Sequence, residues 1–291
     1  HLLIYLIVLK FFKEVIMIKL DGKELAKIKE EILKEKINNI PRKLTLAVIL
    51  LSNDDASLSY LKGRQKLCGR MNVNLEVITF NEVTKENLIN KIQELNNNPL
   101  IDGIMIDRPY PSHIKESEVI DYIDYRKDVD GVTIINQGRL ASSLSCMVPP
   151  TAKSSFDLIT HFTGPVEGKK ALVIGRSSSV GRPLAQLLLN ANATVTVAHS
   201  RTKDLKELAK ENEILCVAIG RKEMINEEYL NENQILVDVG IHYNEAGKLV
   251  GDVKESSKEM VKYATPVPGG VGPLTNYELL ENLIKSYEMR K

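Results

Sequence analysis

The stretch from Ala171 to Arg201, ALVIGRSSSVGRPLAQLLLNANATVTVAHSR, decides how the chain is read. Ala171 to Ile174 form a short apolar run that ends at Gly175, and Gly175-Arg176-Ser177-Ser178-Ser179-Val180-Gly181 follows as a turn. Pro183 falls in the first turn of the next helix, where a missing amide proton is tolerated. Leu184, Leu187, Leu188 and Leu189 make that helix apolar enough to pack on a sheet, and Ala193 to Ala198 is a second apolar strand. Strand, glycine-bounded turn, helix and strand in this order make half of a dinucleotide-binding unit. Unpaired amides at such a helix start attract a pyrophosphate.

The turn reads G-x-S-x-x-x-G, so its weight comes from its structural context. An NAD-preferring site carries a carboxylate after the second strand to hold the ribose hydroxyl. His199-Ser200-Arg201-Thr202 stands there instead. Arg201 and Arg176 offer permanently charged guanidinium groups to a 2′-phosphate, which points to NADP; the alternative is that both are merely solvated.

Working outward, 291 residues suffice for about two domains. With 43% hydrophobic and 26% charged residues and a net charge of +1, the composition is that of an ordinary globular protein and argues against a nucleic-acid surface as the main function. Cys68, Cys146 and Cys216 are widely spaced, show no metal-ligand pattern, and fit buried thiols in a reducing, cytoplasmic setting. Leu2 to Leu9 are apolar but too short to span a bilayer, and they lack the flanks of a signal peptide. Residues 1–16 therefore read as an upstream or non-native extension, with no membrane role.

From Met17 onward, helices are expected over Leu25–Ile40, Ala56–Met71 and Lys85–Leu95, and strands over Leu44–Leu51, Val73–Phe80 and Gly103–Ile106. This alternation implies a parallel α/β sheet, with ligands at the strand C-termini. Tyr125 to Pro150 reads as loop-rich, and Ala152–Thr160 as a helix crossing between domains. Strands over Ile214–Ala218 and Ile235–Val239 join the two strands of the nucleotide unit in a four-stranded Rossmann-like sheet. Thr265 to Pro273, TPVPGGVGP, is too rich in proline and glycine for regular structure and lets backbone approach a ligand closely. The closing helix Leu274–Tyr287 is expected to return to the first domain. The resulting division is 17–150, completed by 274–291, and 151–273.

Several segments together resemble the FolD family, the methylenetetrahydrofolate dehydrogenase/cyclohydrolases. They are Ser57-x-x-Tyr60, Lys127-Asp128-Val129-Asp130-Gly131, Gly138-Arg139-Leu140, the turn from Gly175 through Pro183, Ala193-Thr194-Val195-Thr196 with His199-Ser200, Gly251-Asp252-Val253, and Thr265 through Pro273. The resemblance implies a folate domain and an NADP domain with a cleft between them. It implies that Tyr60 stacks on the folate ring, Asp130 hydrogen-bonds the pterin edge, and Ser57, Pro268, Gly269 and Gly270 line the same cleft. From residue type alone, Tyr60 reads sooner as a packed helix aromatic and Asp130 as a turn former beside Gly131; the family resemblance reverses that preference. The implied cofactor set is Gly175, Arg176, Ser177, Ser178, Ser200, Arg201, Gly240 and Ile241.

Two positions depart from the family pattern. A lysine four residues after the tyrosine serves the hydrolytic step in the family, and here that position is Arg64; its glutamine partner at the end of the third strand is Asp107. Arginine stays protonated and is a poor general base. The change is coherent if the two form a bidentate contact, with Asp107 either activating water or held in an inert ion pair. Tyr60, Arg64, Asp107 and Asp130 are the candidate catalytic set. The implied activity is NADP-dependent oxidation of 5,10-methylenetetrahydrofolate to 5,10-methenyltetrahydrofolate, with hydrolysis to 10-formyltetrahydrofolate weakened or altered, in a homodimer. The alternatives are a dehydrogenase for another reduced pterin and a non-catalytic NADP-binding protein.

Overall fold

The computed structural model describes residues 17–291; the extension read over residues 1–16 lies outside the described residues. The first half is built on a three-stranded parallel sheet of β2 (Thr45–Leu50), β3 (Asn74–Ile78) and β4 (Gly103–Asp107) in the order β3-β2-β4. Every residue of β4 is buried, as expected for a strand covered on both faces. The helices of this half are α1 (Gly22–Asn38), α2 (Asp55–Arg70) and α3 (Lys85–Asn97). Each starts at a residue whose side chain accepts first-turn amides: Asp21, Asp54 and Thr84.

The supposed loop between Tyr125 and Pro150 contains a further helix, α4 (Ile134–Ala141), with Thr133 as its cap. Eight residues with two β-branched isoleucines and a central glycine carry little helical signal of their own. Tertiary contacts supply the rest.

Helix α5 (Pro150–Thr163) leads into the second half, where β5 (Lys170–Ile174), α6 (Gly181–Asn190), β6 (Thr194–Ala198), α7 (Leu205–Lys210), β7 (Ile214–Val217) and β8 (Ile235–Asp238) follow. The nucleotide sheet has six parallel strands where four were expected. A short antiparallel pair, β9 (His242–Tyr243) and β10 (Leu249–Val250), follows β8. The two extra strands of the large sheet are β11 (Tyr263–Ala264) and β1 (Ile18–Lys19), which complete the order β1-β11-β8-β7-β5-β6. Two-residue strands show no periodicity, and β1 is far in sequence from its partner. The start of the chain is thereby tied into the second sheet.

Helix α8 (Gly272–Met289) closes the structure, beginning two residues earlier than expected and taking Gly272 and Pro273 from the loop into its first turn. It packs between α1 and α5 and touches β4. Asn282 on α8 donates to the carbonyls of Val129 and Val148, both at 2.8 Å, so it also fixes the segment that carries Asp130.

Candidate active site

The nucleotide turn forms because Gly175 takes φ +123°, and a Cβ there would stand 2.1 Å from the Ala218 carbonyl oxygen. No other residue fits that corner. At the start of α6 the amide of Gly181 reaches Ser177 Oγ at 3.3 Å and that of Arg182 reaches the Ser177 carbonyl at 3.1 Å, while the cap residue Val180 offers no side-chain acceptor. Donors without a protein acceptor at an exposed helix start suit a pyrophosphate. Arg176, Ser177 and Ser178 are exposed around them, and Ser200 and Arg201 are exposed past β6.

The chain after β6 turns back tightly. The His199 amide donates to Thr202 Oγ1 at 2.9 Å and the Arg201 amide to His199 Nδ1 at 3.1 Å. Neither Arg176 nor Arg201 forms an ion pair among the described residues, so both guanidinium forks are open to an added phosphate. This donor set fits NADP.

A feature that the sequence did not reveal lies under the ends of β7 and β8. Buried Asp252 accepts the amides of Ile219 (2.8 Å), Gly220 (3.1 Å) and Arg221 (2.8 Å), and buried Asp238 accepts those of Gly240 (3.2 Å), Asp252 (2.9 Å) and Val253 (3.2 Å). Lys258, itself buried, stands 3.0 Å from Asp238 and balances its charge. The loops carrying Gly220, Gly240 and the exposed Ile241 are thus pinned from below. The motif Gly251-Asp252-Val253 is explained by this pinning.

The opposite wall starts with α2. Ser57 is buried and its hydroxyl lies between Asp54 Oδ2 (3.0 Å) and the Arg108 carbonyl (3.5 Å), which joins the start of α2 to the end of β4. Its oxygen is therefore engaged within the protein. Tyr60 is 61% exposed, which removes the reading of a packed helix aromatic and leaves its ring face available. One helical turn on, Arg64 is only 7% exposed and its Nη1 donates to Asp107 Oδ2 at 2.9 Å. The expected pairing is present, but through one N–H rather than two. Arg64 Nε is buried with no acceptor among the described residues. An N–H left in that state costs about 1–3 kcal/mol.

Asp130 completes this wall. Lys127 and Asp128, which precede it, are scaffold: Lys127 Nζ donates to the carbonyls of Leu95, Asn96 and Asn98 at 2.7–2.9 Å, and Asp128 Oδ2 accepts from Thr133 and Asn136. Both are buried, and they hold the turn that presents Asp130. The Asp130 carboxylate makes no hydrogen bond among the described residues, and burial pushes it up to about 7, opposed by Arg108 and Arg64 and reinforced by Asp128 and Asp107. It is therefore close to Arg64 and Asp107.

The proline-glycine loop is tied to the start of α1 and to the end of β8. The Gly22 amide at the start of α1 donates to the Gly269 carbonyl at 2.9 Å, and the Thr265 hydroxyl accepts the Asp238 amide at 2.8 Å. Pro268 is exposed, whereas Gly269 and Gly270 are buried. The two walls meet across α4 and α6: Gln137 Nε2 donates to the Ser178 carbonyl at 3.3 Å and Asn190 Nδ2 to the Leu140 carbonyl at 2.8 Å. The nucleotide turn and the helix that follows Asp130 are in direct contact. Among the described residues no group of three or more His, Cys, Asp or Glu is placed to hold a metal ion.

Comparison with known proteins supplies the family and the fold. Residues 20–130 match the model of the catalytic domain, and residues 149–291 that of the NAD(P)-binding domain, of tetrahydrofolate dehydrogenase/cyclohydrolase. The bifunctional protein FolD of Listeria innocua serovar 6a is 44% identical over 272 residues, covering 92% of this chain and 96% of that protein. The crystal structure of the bifunctional enzyme FolD from Campylobacter jejuni superposes with a TM-score of 0.91 at 39% identity, over 94% of this chain and 100% of that one. The Trypanosoma brucei methylenetetrahydrofolate dehydrogenase-cyclohydrolase, solved with NADP cofactor and an inhibitor, superposes with a TM-score of 0.87 at 28% identity, over 94% and 98% of the two chains. The chain belongs to the tetrahydrofolate dehydrogenase/cyclohydrolase family.

Proposed function

We propose that this protein oxidises 5,10-methylenetetrahydrofolate to 5,10-methenyltetrahydrofolate with NADP and hydrolyses the product to 10-formyltetrahydrofolate. The observation that carries this reading is the contact between α4 and the nucleotide turn, Gln137 to Ser178, which brings the Asp130 wall against the dinucleotide site. NADP, when bound, supplies the hydride acceptor. The chain's own task in that step is to hold two rings in register.

In this reading Tyr60 is the platform for the pterin and Asp130 accepts its N–H groups, with Pro268, Gly269 and Gly270 closing the cleft. Ser57 acts from behind by fixing the start of α2 to Arg108. The amides after Gly175 and the side chains of Ser177 and Ser178 hold the pyrophosphate, Arg176, Ser200 and Arg201 the 2′-phosphate, and Gly240 with Ile241 the nicotinamide end. Residues 17–150 with 274–291 form the folate unit and 151–273 the nucleotide unit, with β1 as the exception that crosses into the second sheet.

A second copy of the chain is assigned to the nucleotide unit. Strand β6 lies at the edge of the sheet and exposes Thr194, Thr196 and Val197, which supports pairing there. The three cysteines are buried and unpaired, which supports a reducing compartment, the cytoplasm, as its place.

The test is a time course with methylenetetrahydrofolate and NADP that follows NADPH and the methenyl species separately. NADPH must form, and methenyl must disappear faster than in buffer. Absence of NADPH defeats the assignment.

A further inference from the structure

Hydrolysis of the methenyl group needs a partner for the attacking water, and where the family resemblance implies a lysine that could lose a proton this chain carries Arg64. The Arg64 guanidinium is held by Asp107 through Nη1 alone. Its Nε is buried without an acceptor, and Nη2 makes no hydrogen bond among the described residues. A nearly buried cation therefore has N–H groups to give to something outside the chain, one helical turn from the exposed ring of Tyr60.

The acidic groups around it are poor substitutes for the missing base. Asp107 on β4 is tied to Arg64, and taking a proton would leave the buried guanidinium unpaired. Asp130 lies in the same field of charge, with Arg108 and Asp128, and in the reading above it is committed to the pterin edge. Cys68 on α2 also feels Arg64, and burial pushes its thiol up to about 11. The Tyr110 hydroxyl beyond Arg108 is buried without a partner, and burial raises it as well. Lys62 and Lys66 are exposed on other faces of α2.

We propose, resting on the function assigned above, that Arg64 is a fixed hydrogen-bond donor to the oxygen that adds to the one-carbon unit, and that hydroxide from solvent, not a side chain, makes the attack. The oxygen pair of hydroxide forms the C–O bond and discharges the cationic methenyl group, giving a neutral carbinolamine. The hydroxyl proton then leaves to solvent as the C–N5 bond breaks. The bond pair goes to N5, which takes a proton from water, and the formyl group stays on N10. One water is consumed and one proton released. Arg64 favours the anionic state of the attacking oxygen by holding hydroxide beside the cation, and it faces the same oxygen when the carbinolamine gives up its proton and negative charge builds there, which is where a preorganised donor lowers a barrier.

The test supplies methenyltetrahydrofolate directly and measures kcat at saturating folate from about pH 6 to 8.5, so that titration of binding drops out. The wild-type rate rises about tenfold per pH unit without a bend, as hydroxide does. Arg64→Met lowers it about 10²–10³-fold, the usual loss on removing an oxyanion donor. Arg64→Lys restores hydrolysis with a bend in the profile where the amine titrates, and this guards against a variant that merely misfolds. A plateau in the wild-type profile, or hydrolysis that survives Arg64→Met, overturns the proposal, as does a wild-type rate no faster than buffer. NADPH formation is read in a separate assay, so failure of the dehydrogenase reading is recognised by itself.

Discussion

At the scale of single residues, Asp130 and Arg201 carry the most readable chemistry. With its carboxyl pushed up to about 7, Asp130 is protonated in much of the free protein at neutral pH. A pterin that donates N–H groups binds the ionised form, so folate affinity falls as pH drops below about 7, approaching tenfold per unit. Folate KM measured between pH 5.5 and 8 shows this slope, and Asp130→Asn flattens it while raising KM throughout. A slope retained in that variant would place the titrating group elsewhere. Arg201 has an open guanidinium fork after β6. Arg201→Ala raises the KM for NADP about 10- to 100-fold, the worth of a charge-assisted hydrogen bond. The KM for NAD stays within about threefold, since an NAD ribose presents no phosphate to lose.

At the scale of elements, α3 shows that the Lys127 end of the Lys127–Gly131 motif is structural. Lys127 gives its three donors to carbonyls at and just past the end of that helix, in place of a glycine cap. Lys127→Met strands those carbonyls in a buried setting and costs about 3 kcal/mol. The urea midpoint of unfolding drops accordingly with an unchanged slope. The turn bearing Asp130 is also loosened, so folate KM rises as well. A midpoint unaltered by the substitution would show that water replaces the amine.

At the scale of the whole molecule, α8 is the joint between the two halves, and it carries a buried charge cluster. Lys29 on α1 stands 2.8 Å from both Asp157 on α5 and Glu278 on α8, and 3.2 Å from Glu281. Burial, then the neighbouring Asp157, pushes Glu278 up to about 8, against the pull of Lys153 and Lys29. The folded protein therefore keeps this proton to about pH 8, whereas the unfolded chain releases it in the ordinary carboxylate range near 4.3. Between those values the folded state binds the extra proton, so stability falls as pH rises. Glu278→Gln removes the penalty and raises stability at pH 7–8 by about 1–3 kcal/mol, with no gain at pH 4. Denaturant melts at the two pH values decide it, and equal effects at both would mean that the residue acts through packing alone.

What the sequence by itself determined was the strongly periodic elements and the motifs. Alternating apolar runs with acidic or hydroxyl caps marked the main helices and strands, and the corner at Gly175 with Arg176 after β5 and Arg201 after β6 marked the candidate phosphate site. The replacement of lysine and glutamine by Arg64 and Asp107 was also legible, because both belong to recognisable motifs. Only the tertiary structure decided that their contact is single and leaves Arg64 Nε without a partner. It also showed that Lys127, Asp128 and Asp252 are scaffold beneath the site, that Ile134–Ala141 is helical, and that Ile18–Lys19 closes the second sheet. These features depend on partners distant in the chain. Which buried donor meets which acceptor is settled by packing, and a short element is stabilised by what it touches more than by its own residues.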